Sequence, residues 1–79
     1  MRDKLSDIIL KIINNSNEPL ETKEVVGLAT QLSKDATRAK IFYRLTVLRA
    51  EGEIKGKFIG SGKGVWIWWR KDAFEGWMK

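Results

Sequence analysis

Ten basic side chains stand between Lys34 and Lys71, against only Asp35, Glu51 and Glu53. Residues 1–33 carry Arg2, Lys4, Lys11 and Lys23 against five acids, and the tail after Lys71 carries Asp72 and Glu75 against Lys79. The chain's positive charge is therefore confined to one half. Cations segregated in this way attract a polyanion, and phosphate is the anion they suit best. Arginine adds what lysine cannot, a planar fork that matches two acceptors at once, such as O6 and N7 of guanine. Other chemistries find little support. With no cysteine and no histidine, there is no disulfide framework, no Cys/His zinc site, no thiol nucleophile and no imidazole base. The carboxylates are scattered, so neither an enzyme nor a cofactor or metal site is expected.

Gly60-Ser-Gly-Lys-Gly64 invites a phosphate-loop reading that fails on two residues. Such a loop needs glycine where Lys57 stands and serine or threonine where Gly64 stands, and it must open a helix. Here it is followed by Val65-Trp-Ile-Trp-Trp-Arg70, a strand pattern. The glycines read as a hairpin turn, with Lys63 able to reach phosphate.

The basic residues must be carried by regular elements. Leu5, Ile8, Ile9, Ile12 and Ile13 repeat at the helical period, predicting a helix over about 3–15 with Leu10 off the stripe. Asn14 to Pro19 is a turn, and Leu20-Glu21 suits a very short strand. A second helix is expected over 23–32, capped by Thr22, with Val25, Leu28, Ala29 and Leu32 buried. Gly27 is expected to allow close helix approach. A third helix is expected over 35–51, capped by Ser33 or Asp35, with Asp35 preferred. Its apolar stripe is Ile41, Leu45 and Leu48. Arg38 and Arg49 flank that stripe on one side and Arg44 on the other, leaving a small, basic back of Ala36, Ala39, Lys40, Tyr43, Thr46 and Ala50. Gly52 suits a left-handed helix end. A hairpin over 53–70 follows, with Ile54 and Phe58 on one face. On its return strand Trp66 and Trp68 share a face, and Val65, Ile67 and Trp69 share the other. One set closes the core; the other needs the C-terminal segment, a second subunit or nucleic-acid bases. Asp72 to Met78 suits a last helical turn, with Phe74, Trp77 and Met78 closing the core or meeting a partner.

Arg44-Leu-Thr-Val-Leu-Arg-Ala-Glu-Gly-Glu-Ile54 is similar to the end of the recognition helix in the winged helix-turn-helix family: two leucines three apart, an acidic-glycine step and an isoleucine opening the wing. The order of elements resembles that family over nearly the whole chain, most closely its compact prokaryotic and archaeal transcriptional regulators. The segment from Leu32 to Ile41 is longer than in the tightest such units. The resemblance implies an α+β fold with a three-helix core, a two-stranded wing and a short C-terminal segment. It implies double-stranded DNA as partner, with the third helix in the major groove and the wing on the backbone or minor groove. Carried onto this sequence, it places Thr37, Arg38, Lys40, Tyr43 and Arg44 at the DNA, Arg38 and Arg44 as base readers. Lys34, Lys40, Lys55, Lys57 and Lys63 become phosphate contacts.

A homodimer is expected, since one small reader covers a half-site; its contact should use the first helix and the tail. A cytoplasmic, nucleoid-associated protein without leader, membrane span or small-molecule effector is the matching location and habit. The rival expectation is a winged helix used for protein–protein contact in a larger nucleic-acid-associated assembly. Replacing Lys55, Lys57 and Lys63 together with alanine should weaken binding to all duplexes alike. It should also flatten the plot of log affinity against log salt, each lost phosphate contact removing roughly 0.9 from the slope. Anisotropy titrations at several salt concentrations measure this, and an unchanged slope removes the wing from the interface.

Overall fold

The computed structural model describes residues 3–73, so Phe74, Trp77 and Met78 lie outside the described residues. In chain order the elements are α1 (Lys4–Asn14), β1 (Leu20–Glu21), α2 (Thr22–Leu32), α3 (Arg38–Ala50), β2 (Ile54–Ile59) and β3 (Val65–Arg70). This is an α+β arrangement, three helices on one antiparallel sheet of strand order β1-β3-β2. The short strand at Leu20-Glu21 pairs with β3, Leu20 opposite Trp68 and Glu21 opposite Ile67, so the hairpin is built into the body.

α1 starts one residue after its cap: an Asp3 carboxylate oxygen accepts from the Ser6 N–H at 2.9 Å. Ile9 and Ile13 are buried, and Leu10, although off the stripe, packs partly against the core. Leu10 is therefore half-buried. α2 departs further from expectation. Its cap is Glu21, whose N–H donates to Glu24 Oε1 at 2.8 Å. Thr22 lies inside the first turn, buried, because its hydroxyl accepts from the Trp68 indole N–H at 2.8 Å. The buried row is Thr22, Val25 and Ala29, one row round from the expected one, and Leu28 and Leu32 are left 44% and 64% exposed. Nothing stands within 4 Å of where a Cβ on Gly27 would lie, so that glycine serves no close helix approach.

α3 is shorter at its N-terminus than its pattern suggested. Thr37 caps it, Oγ1 accepting from the Lys40 N–H at 3.2 Å, and Asp35 lies outside. The chain before the cap turns inward to bury Ala36 in the core, which takes that residue off the helix's back. At the other end Gly52 has φ +78°. The Gly52 N–H donates to Arg49 O at 3.0 Å and the Glu53 N–H to Leu48 O at 2.9 Å, the paired closure of a Schellman motif.

The hairpin register sets Gly56 opposite Trp68, Phe58 opposite Trp66 and Ile59 opposite Val65. The Trp66/Trp68 face closes the core: Trp68 is fully buried and Trp66 stacks on it, ring centroids 5.2 Å apart. On the other face Trp69 is buried too, while Val65 is exposed. A Cβ on Gly56 would stand 2.5 Å from the Trp68 ring, so the indole lies directly on the β2 backbone. Phe58, which shares a strand face with Ile54, is 46% exposed near the far end of the hairpin. Among the described residues no helix is long and apolar enough to cross a membrane.

Thr22→Val keeps the side-chain shape but strands the Trp68 N–H in the core. It should lower stability by about 1–3 kcal/mol, read as an earlier midpoint in urea followed by tryptophan fluorescence.

Candidate nucleic-acid interface

α3 presents four distinct sides, each fixed by what it packs on. Ile41, Leu45 and Leu48 are buried. One flank meets the sheet: Phe42 is edge-on to Trp68 at 6.0 Å, and Arg49 Nε donates to Gly56 O at 3.0 Å. The Arg49 guanidinium also lies 5.2 Å from the Trp66 ring centroid, a cation–π contact. The opposite flank meets the start of α1, where Arg44 Nε and Nη2 both donate to Asp3 Oδ2, at 3.0 and 2.7 Å. What remains points outward: Ala39, Tyr43 and Ala50, all exposed, with Lys40 beside them. α3 holds four basic residues and no acid.

The nominated residues accordingly separate by role. Arg38 is exposed and lines a groove with Lys23, Phe42, Val65 and Trp66, between the start of α3 and the return strand. Lys40 and Arg44 line a second groove with Asp3 and Asp35. Lys40 Nζ approaches Asp35 O at 3.4 Å, and Tyr43 has the Arg44 guanidinium 5.6 Å from its ring centroid. Lys55 and Lys57 border a third, open concavity with Arg49 and Trp69 at the C-terminal end of α3. Lys34, Lys57 and Lys63 are exposed and Lys55 is half-buried. Thr37 is exposed but its hydroxyl is engaged as the helix cap.

Two residues join this surface that the sequence did not place at the interface. Arg49 clamps α3 to the β2–β3 hairpin; its place eleven residues after Arg38, on the same flank, was the available signal. Lys23 reaches the Arg38 groove only because α2 folds back beside the hairpin, and nothing local marks it.

Arg44 is the nominated residue whose surroundings differ most from a free reader. Its hydrogen bonds hold the Asp3 carboxyl well below the usual carboxylate range, helped by the Ser6 N–H, and the same pairing raises Arg44. The fork's Nε edge is taken up within the chain, so its geometric effect is to fix α3 against the first turn of α1. Among the described residues no group of three or more His, Cys, Asp and Glu side chains is placed to hold a metal ion. No protein-family model matches the chain, and no curated protein matches it.

The ion pair predicts a pH signature. Because the folded state lowers the Asp3 pKa, its stabilisation is complete above the ordinary carboxylate value near 4 and is lost as pH falls through the depressed one. Asp3→Asn keeps a competent cap and removes the charge. The variant should show a lower urea midpoint than wild type at pH 7, and the gap should narrow steadily from pH 5 to pH 2. A gap independent of pH would mean the pair contributes nothing through charge.

Proposed function

We propose that the chain is a winged helix-turn-helix protein that binds double-stranded DNA as a transcriptional regulator. In this reading α3 enters the major groove, and the β2–β3 wing lies on the adjacent backbone or minor groove. The observation that carries it is the surface of α3: its apolar stripe is fully used by the core, and its outward side is small, basic at the edges and free of acids. Small residues let the helix backbone approach base edges, and the flanking cations meet phosphates on either wall of the groove.

Arg38 is the base reader, standing exposed at the N-terminal end of α3, the part of such a helix that reaches deepest. Tyr43 offers an apolar ring and a hydroxyl one turn on. Arg44, held by Asp3, acts through positioning: it sets the angle at which α3 is presented. Lys34, Lys40, Lys55, Lys57 and Lys63 contact phosphate and fix register, and the backbone around Thr37 sits beside them. The protein works as a cytoplasmic, nucleoid-associated homodimer, without cofactor, metal or small-molecule effector.

One observation favours a second reading, a winged helix that docks on another protein within a nucleic-acid-associated assembly. Leu28 and Leu32 stand exposed four residues apart on α2, an apolar pair outside the basic stretch of sequence.

Titration of random and selected duplexes at two salt concentrations separates the readings. DNA binding requires affinity that falls steeply with salt. Arg38→Ala should then cost about 1–3 kcal/mol on the selected site and much less on random DNA. Equal losses on both would make Arg38 a phosphate contact, and no salt-dependent binding by wild type would leave the protein-docking reading.

A further inference from the structure

The wing ends in a feature that phosphate contact does not explain. Ile59 and Val65 face each other as the last ladder pair of the hairpin, 40% and 44% exposed. Phe58 beside them is 46% exposed, with its ring packed along the hairpin. Its ring lies where a Cβ on Gly64 would stand, 2.6 Å away, and meets Trp66 edge-on at 6.0 Å.

The hairpin's own charge has one sign, and the groove that Val65 borders adds Lys23 and Arg38 against one acid, Glu21. From Ile54 to Lys71 the chain holds Lys55, Lys57, Lys63, Arg70 and Lys71 and no acid. The turn beyond the pair is thin: Gly60, Gly62 and Gly64 leave only Ser61 and Lys63 with side chains. Gly60 and Gly62 take φ of +103° and +69°, which keeps the tip tight at positions other residues would strain. Strands lie roughly 4.8 Å apart and the minor groove is about 6 Å wide. A tip of glycines is the narrowest end a hairpin can offer that groove, and Ile59 and Val65 are the first apolar side chains behind it.

We infer that Ile59 and Val65 form a minor-groove wedge that parts a base step and bends the bound duplex, with Lys57 and Lys63 gripping the phosphates on either side. The inference rests on the DNA-binding reading and specifies how the wing uses it. Apolar side chains inserted at a base step partly unstack it and kink the duplex away from the minor groove. A second copy of the chain is a poorer occupant. Two aliphatic side chains fall far short of the roughly 800 Å² per partner of a stable interface, and their cationic surroundings repel their like.

The test uses the full chain on a selected duplex of about 30 base pairs carrying a fluorophore at each end. Wild type should shorten the end-to-end distance by energy transfer, corresponding to a bend of about 20° or more. Ile59→Thr/Val65→Thr keeps β-branched side chains suited to a strand and removes the apolar tip. It should still bind the duplex but return the distance to that of free DNA. Lys63→Ala should do the reverse, flattening the salt dependence while keeping the bend. A double variant that bends DNA like wild type overturns the wedge while leaving DNA binding intact. A double variant that changes from dimer to monomer in sedimentation also overturns it, making the pair a subunit contact. Wild type that binds no duplex at all defeats the underlying reading and the wedge with it.

Discussion

The structure hangs on the burial of Trp68. Its ring rests on the bare backbone of Gly56, its face stacks on Trp66, its edge meets Phe42, and its N–H is satisfied by Thr22. Those four partners come from β2, β3, α3 and α2, and β1 pairs with Trp68 directly. In a chain of 79 residues the aliphatic core is too small to dictate the angle between sheet and helices unaided. A large, flat, fully buried indole with one directional hydrogen bond does so. It admits one registry of the hairpin, since any shift by a residue would put a side chain where Gly56 leaves room.

That constraint decides what α3 shows to solvent. Phe42 and Arg49 are drawn to the sheet by the tryptophans, and Arg44 is drawn to α1 by Asp3. With both flanks fixed and Ile41, Leu45 and Leu48 buried, rotation of α3 about its axis is no longer free. Ala39, Tyr43 and Ala50 face out as a geometric consequence. In the DNA-binding reading the same contacts that stabilise the fold therefore aim its recognition surface. They also occupy Trp66 on Trp68 and under Arg49, which leaves that ring poorly placed to stack on an unpaired base.

Much of this was legible in the sequence where the signal is local. The stripe on α3 and the left-handed end at Gly52 follow from spacing and from glycine's backbone freedom, and both stand as read. The short strand at Leu20-Glu21 and the hairpin turn at Gly60 to Gly64 also stand. The misses are all tertiary. Thr22 reads as a cap until an indole N–H arrives from 46 residues away and needs its hydroxyl inside. Leu28 and Leu32 read as core because leucine prefers burial, yet α2 meets its neighbours along Thr22, Val25 and Ala29. Asp35 and Thr37 are both good caps; burial of Ala36 between them settled the choice. Arg44 read as a free fork because Asp3 lies 41 residues away.

α3 is held by its ends as well as by its buried stripe and flanks. Its start is fixed by Thr37, its finish by the Gly52 closure, and only three of its thirteen residues are buried. A helix secured this way tolerates almost any sequence on its outward side, since residues there add little beyond intrinsic propensity. Ala39, Tyr43 and Ala50 are thus the positions at which substitution costs the fold least. In the DNA-binding reading Arg38 belongs with them in function but not in cost, because it borders the aromatic groove at Phe42 and Trp66. In that reading stability and specificity are assigned to different sides of one helix, and Arg38 is where the two meet.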